Sequence, residues 1–417
     1  MRVWLVTIGE PLPIMAPPKP RLLRTGSLAR VLQQRGHDVV WWTSSFDHYR
    51  KQHYVDRDAI RPWESGVIRI LKSVGYRRNV SLARLVDHIA VARKFRKQAP
   101  SQPQPDVILV SLPTIELARE AVRFGRAHAV PVLIDVRDLW PDVLIDAFPP
   151  RLRHFSRLLL WWMIRDAIFA LSNCTGIVGI SDGYLDWALR RANRARSIDD
   201  AMVPLGYVAP ESSATDTEVA GDRLVAMGVD PSKTLCWYVG SFGRQYDLMP
   251  VLTAASQLQR AGRSDIQFVI SGEGELGDRW RRAAAGANNV LFTGWVGGDE
   301  ITWLRAHAAI GLQPYADGAP QGLANKLFEY LSAGIPVVSS LRGENQRLIE
   351  GHACGLTYRP GDAWDCLAKI TVLADDRGLR RAMGQRARKL FVEQFDSSAV
   401  LDGMAAHLEA VAMRSRR

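Results

Sequence analysis

The chain is predicted to be an α/β protein with two doubly wound, Rossmann-like domains. Three observations carry that prediction. Apolar strand candidates alternate with helical patterns from end to end, the alternation breaks once near residue 207 and restarts, and 417 residues exceed what one core comfortably holds. In the first half the strands read RVWLVTI, HDVVWWTS, DVILVS, VPVLIDV and TGIVGIS, with TGSLARVLQQRG as the first helical segment. The second half reads TLCWYVGS, helical MPVLTAASQLQRAG, then IQFVISG, NNVLFTG, AAIGLQPY and IPVVSS. Two such sheets imply domains facing across a cleft, with ligands at the carboxyl ends of the strands. The expected boundaries are 1–207, 208–389 and a C-terminal segment 390–417. The joint is placed at Val203 to Tyr207, followed by a polar stretch to Gly221.

Composition is that of a globular protein throughout, 47% apolar and 23% charged. Cys174, Cys236, Cys354 and Cys366 are scattered without CxxC spacing, which argues against a disulfide framework or a zinc site and fits a reducing cytoplasm. The opening residues form a strand candidate rather than a signal peptide. The longest apolar stretch, Phe155 to Ile180, is broken by Arg157, Arg165 and Asp166, so no standard membrane span is expected. Charge is uneven. Residues 1–207 hold about 31 Lys and Arg against about 19 Asp and Glu, while the rest is nearly neutral. The basic residues are not interleaved with aromatics in a nucleic-acid-binding motif, so the expected partner of the basic half is an anionic membrane surface.

The most informative segment is QGLANKLFEYLSAGIPVVSS, Gln321 to Ser340. It places Lys326 and Glu329 in a glycine-opened amphipathic helix that runs through AlaGlyIlePro into a buried strand. A cation for a diphosphate and an acid for ribose hydroxyls suit a sugar nucleotide. An ordinary surface helix with Leu323, Leu327, Tyr330 and Leu331 inward also fits. Gly240, Ser241, Phe242, Gly243 and Arg244 follow the strand LCWYVG. They read either as a structural turn or, with Lys326, as a two-cation clamp in which backbone approaches phosphate at the glycines.

SGEGELGD contains a formal GxGxxG at Gly272, Gly274 and Gly277, but the next strand, VLFTGW, ends without the ribose-holding acid. A nicotinamide or flavin site is therefore not expected. Asp135, Arg137 and Asp138 close the strand VPVLIDV and either line a cleft or form a structural ion pair. Asp56 and Asp58 lie in a polar loop with no preceding strand, and no metal site is expected. His48 and His53 follow the second strand beside Arg50 and Lys51, as substrate contacts or as structural residues. The helix around RLLLWWMIRDAIFAL is read as core, although Trp161, Trp162 and the flanking arginines suit an interfacial face.

Together, LLRTGSLARVLQQRGHDVVWWTS, VPLGY, VGSFGRQYD, ISGEGE, VLFTGWV and NKLFEYLSAGIPVVSS resemble a family 4 glycosyltransferase of GT-B fold over essentially the whole chain. EPLP near the start and VRDLWP mid-domain are similar to the bacterial enzymes of lipopolysaccharide and capsule assembly. The resemblance implies a donor domain at 208–389, an acceptor domain at 1–207 and C-terminal helices that return to the first domain. It assigns Glu329 to the ribose, Arg244 and Lys326 to the diphosphate, and the backbone at Trp295 to the base. Gln321, Gly322 and Leu323 join Gly240, Ser241 and Gly243 around the donor.

The family's first glutamate is replaced by Gln321, which hydrogen-bonds but brings no charge. Arg137 stands where the family has a histidine, beside Asp138, and His48 and Arg50 fall on the acceptor side. The implied activity is retaining, metal-independent transfer from a UDP-sugar, of N-acetylhexosamine type, to a lipid-linked glycan precursor. It needs no cofactor and is placed in the cytoplasm, peripheral on the inner face of the membrane. The alternatives are a UDP-sugar 2-epimerase and a non-catalytic nucleotide-sugar-binding partner subunit.

Overall fold

The computed structural model of the chain describes residues 1–14, 22–78, 81–146, 148–208, 213–319 and 322–416. It contains two compact units, Met1–Leu205 with Val400–Arg417, and Gly206–Ala399.

In the first unit the strand Arg2–Val6 shows how the sheet is built. Val3 and Leu5 enter one core layer, Trp4 and Val6 the other, and all four are fully buried. A strand covered on both faces reads as a continuous apolar run, and RVWLV does. It pairs in parallel with Asp38–Ser44 on one side and Val107–Leu112 on the other. The full sheet runs Ala201–Met202, Gly176–Gly179, Val132–Val136, Val107–Leu112, Arg2–Val6, Asp38–Ser44, Gly66–Leu71, Ala59–Trp63. Every pairing is parallel except the last, a hairpin between Ala59–Trp63 and Gly66–Leu71. That hairpin is absent from the sequence reading. AIRPW carries a proline and an exposed arginine, as an edge strand can, and so lacks the apolar signature.

The helix Ser397–Ser415 completes this unit. Val400, Leu401, Met404, Leu408 and Val411 recur at three- and four-residue spacing and are buried against Val3, Leu5, Leu28, Trp41 and Leu109. The expected core helix RLLLWWMIRDAIFAL is divided. Arg153–Leu159 and Trp161–Asn173 are separate helices, and within Arg153–Leu159 only Ser156 is buried. The reading of that segment as core is corrected for its first half.

The second unit carries a six-stranded, wholly parallel sheet in the order Val290–Gly294, Ile266–Ser271, Thr234–Val239, Ala308–Gln313, Val337–Ser339, Gly355–Thr357. Its strand order reverses between Thr234–Val239 and Ala308–Gln313, the place where open α/β sheets leave a crevice at their carboxyl ends. Helix Asn325–Ala333 ends at Gly334 in the left-handed conformation, with φ of +67°, and the chain turns at once into Val337–Ser339. No helix among the described residues is long and apolar enough to cross a membrane.

Candidate functional site

The site lies in the second unit and is assembled from two strand ends, those of Thr234–Val239 and Ala308–Gln313, and the helix Asn325–Ala333. Tyr330 fixes the helix Asn325–Ala333 there. Its hydroxyl lies 3.0 Å from the carbonyls of Trp237 and Leu312 and accepts a hydrogen bond from the Val239 N–H at 3.3 Å. Gly311 leaves room for the ring, since a Cβ there would come within 2.5 Å of it. Anchored in this way, the helix directs Lys326 and Glu329 into a cavity of about 420 Å³ lined also by Tyr207, Val239, Gly240, Tyr246, Tyr315, Leu323 and Ala324.

Lys326 is buried, and its Nζ has no hydrogen-bond partner among the described residues. It sits 3.6 Å from the ring centre of Tyr246, 4.1 Å from Tyr238 and 5.5 Å from Tyr315. Ring faces attract the cation but supply no acceptor oxygen. Burial therefore holds its proton affinity well below that of an ordinary lysine. Gly240, at φ +149°, lets the backbone pass this ammonium, and a Cβ there would lie 2.9 Å from Nζ. The same turn packs backbone to backbone on the glycine loop after Ile266–Ser271. A Cβ on Gly272 would fall 1.9 Å from the Gly240 carbonyl oxygen, and one on Gly274 2.8 Å from the Phe242 nitrogen. The formal GxGxxG thus serves loop packing. Ala324, the N-cap of Asn325–Ala333, offers no side-chain cap to the first-turn N–H groups.

Glu329 is buried and held from two sides. The Tyr207 hydroxyl donates to its Oε2, and Arg305 Nε lies 3.1 Å from its Oε1. Burial raises its proton affinity, and the phenol and guanidinium act against that rise. Sequence reasoning missed Tyr207, Tyr238, Tyr246, Tyr315 and Arg305. Tyr246 and Tyr315 follow the strands ending at Val239 and Gln313, and strand-end aromatics near Lys326 are the signal that would have found them.

Ser241 accepts the Tyr238 hydroxyl on its carbonyl at 2.8 Å. Gly243 belongs to the same turn. Arg244 is exposed and makes a bidentate pair with Glu275, at 2.6 and 3.0 Å, and it does not line the cavity. Trp295 is exposed after Val290–Gly294 and also lies outside the lining. Gly322 lines a second cavity of about 420 Å³ with Ser340, Leu341 and Glu344. Gln321 lies outside the described residues. No group of three or more His, Cys, Asp or Glu among the described residues is arranged to hold a metal.

In the first unit, Arg137 sits in a buried ionic network. It donates to Asp135 at 2.6 Å, to Glu10 and to Thr25 at 2.9 Å, while Arg24 meets Asp135 at 3.0 Å. Glu10 belongs to EPLP and Arg137 to VRDLWP, so the two motifs meet through one ion pair across 127 positions. Asp138 follows and accepts from the Leu139 N–H, and burial raises its proton affinity. His48 Nδ1 lies 2.6 Å from the Tyr76 hydroxyl, and burial, followed by Lys51 and Arg84, lowers its pKa to about 4. Arg50 is exposed, with its backbone N–H on Asp47.

Comparison with known proteins matches the chain to a class. Residues 23–206 match the glycosyl transferase 4-like domain, and residues 233–376 match the glycosyl transferases group 1. The chain belongs to the glycosyltransferases of GT-B fold. It is 30% identical over 164 residues to the sulfoquinovosyl transferase SQD2 of Arabidopsis thaliana, a match that covers 38% of this chain and 30% of the relative. HepE of Anabaena, solved in complex with UDP, is 15% identical with a TM-score of 0.63, over 98% of this chain and 99% of that one. WaaG, a glycosyltransferase involved in lipopolysaccharide biosynthesis, is 15% identical with a TM-score of 0.58, over 98% of this chain and 99% of that one. At such identities the two structures share the fold with this chain.

Proposed function

We propose that the second unit binds a UDP-sugar, of N-acetylhexosamine type, and that the chain transfers the sugar with retention and without a metal to a lipid-linked glycan precursor of cell-surface polysaccharide. One observation carries the donor half of this reading: the Lys326 ammonium is buried at a helix start and a glycine turn, with no acceptor oxygen of its own among the described residues. A diphosphate supplies those oxygens and the opposite charge. Negative charge grows on the departing diphosphate as the glycosidic bond breaks, so a fixed ammonium stabilises the transition state more than the ground state. A diphosphate oxygen then takes the acceptor proton as the new bond forms on the face the leaving group vacates. Glu329, held by Tyr207 and Arg305, meets the ribose hydroxyls, and Arg244 reaches the diphosphate by leaving Glu275.

The choice of uridine is supported by HepE, whose structure contains UDP, and the choice of pathway class by WaaG. The acceptor half rests on the basic character of residues 1–207, which suits an anionic acceptor such as a lipid diphosphate, with His48 and Arg50 as contacts. It places the protein at the inner face of the cytoplasmic membrane.

A thermal-shift panel of UDP, GDP, ADP and their sugars tests the donor reading, because a ligand bound only by the folded state raises the melting temperature. UDP and its sugars should stabilise selectively. Lys326→Ala should weaken UDP by about ten-fold or more, the worth of one charge-assisted hydrogen bond. Unchanged UDP affinity in that variant would remove the assignment.

A further inference from the structure

The first unit carries an exposed apolar ridge that its core does not use. In the helix Arg153–Leu159 and the turn on either side, Leu152, Phe155, Leu158, Leu159 and Trp161 are all exposed, Phe155 at 60% and Leu158 at 70%. Within the helix, the spacing of Phe155 with Leu158 and Leu159 puts them on one stripe, with Leu152 and Trp161 at its two ends. Trp161 continues the ridge onto the helix Trp161–Asn173, where Ile168, two turns on and also exposed, extends it. Contiguous apolar exposure of this kind marks a surface that meets something.

Charge identifies what it meets. From Phe148 to Arg165 the sequence has Arg151, Arg153, Arg157 and Arg165 and no Asp or Glu. All four arginines are exposed. Arg165 lies over the Trp161 ring at 5.0 Å and faces Asp166 at 3.3 Å, and Arg153 faces Asp146 at 3.6 Å. Apolar and tryptophan side chains flanked by arginines match the two layers of an anionic membrane interface, acyl chains beneath and lipid phosphates beside. A second copy of this chain fits poorly, since an isologous contact would set the same four arginines against each other.

We infer that the ridge from Leu152 to Trp161, with Arg151, Arg153, Arg157 and Arg165 at its rim, seats the protein on an anionic lipid surface. The inference deepens the membrane part of the proposed function, but it rests on this patch and not on the donor site.

The test is co-sedimentation of the full chain with vesicles of phosphatidylcholine alone or mixed with phosphatidylglycerol, over a range of salt. The wild type should bind the mixed vesicles, and more weakly as salt rises. Leu158→Ser with Trp161→Ser should reduce binding about ten-fold or more. Arg151→Gln with Arg153→Gln and Arg157→Gln should do the same at low salt and flatten the salt dependence, each charge near the surface contributing about five-fold. Trp364→Ser, an exposed residue of the other unit, should bind as the wild type does. Melting temperatures confirm folding, and Phe155→Ser replaces the double variant if that variant is unfolded.

Equal vesicle binding by all variants, or no binding by the wild type, overturns the inference. So does a dimer in gel filtration that Leu158→Ser dissociates while vesicle binding persists, which would make a second copy the occupant. The UDP shift of the same variants is read in parallel. Its loss in the wild type would remove the donor reading and leave the vesicle result standing.

Discussion

Lys326 is held where burial disfavours the ammonium, and that has a measurable consequence. Burial lowers its proton affinity in the folded protein, so the unfolded chain binds this proton more tightly. By linkage, ligand-free stability rises with pH through the window between the depressed value and the ordinary lysine value of 10.5. Lys326→Met, which keeps the stem and removes the charge, should melt higher than the wild type at about pH 6, and the gap should narrow toward about pH 9. A gap that does not change with pH would show that the lysine's titration is not what separates the two. Saturating UDP should reverse the order by stabilising the wild type alone. The residue type and its place on a helix were legible in the sequence. The tyrosine cage was not, because Tyr315 lies far along the chain from Tyr238 and Tyr246 and only the sheet brings the two strand ends together.

The two glycine loops depend on each other's backbones. Gly272→Ala would require a Cβ 1.9 Å from the Gly240 carbonyl at φ +138°, so something must shift. The expected cost is about 2 kcal/mol or more, together with loss of the UDP shift. Gly403 gives the opposite result. It is exposed inside the helix Ser397–Ser415 with open space at its Cβ, and Gly403→Ala should stabilise by about 0.5–1 kcal/mol in denaturant titration.

The strand end at Asp135 poses a second question, whether Arg137 serves chemistry or the fold. Arg137→Ala leaves Glu10 and Asp135 buried with fewer partners, and a cost of about 3–5 kcal/mol is expected. A variant that melts like the wild type yet has lost turnover would return Arg137 to a catalytic role. Sequence reasoning left that choice open because Glu10 and Arg137 lie 127 positions apart, and nothing local shows that they pair.

The last helix belongs to the first unit although its sequence follows the second. Val400, Leu401, Met404, Leu408 and Val411 bury their side chains against Val3, Leu5, Leu28 and Trp41. Each such side chain contributes about 1.5–3 kcal/mol, so their sum rivals the whole stability of an ordinary domain. A chain ending at Ala399 should therefore lose the cooperative unfolding of the first unit while the second, Gly206–Ala399, still melts cooperatively and still shifts with UDP. Calorimetry separates the two. Retention of both transitions would show that the helix is dispensable.

The α/β class, the restart of the strand and helix alternation after Tyr207, the charge imbalance and the place of Lys326 and Glu329 on one helix could all be read from residue order, because period and composition are local properties. The sheet orders, the hairpin of Ala59–Trp63 with Gly66–Leu71, the pairing of Glu10 with Arg137 and the contacts of Glu329 with Tyr207 and Arg305 came from packing. So did the division between Arg153–Leu159, which lies exposed, and Trp161–Asn173, which is half core. An apolar pattern records that a segment shuns water. Whether protein, ligand or lipid then covers it depends on which distant residues the completed sheet brings alongside.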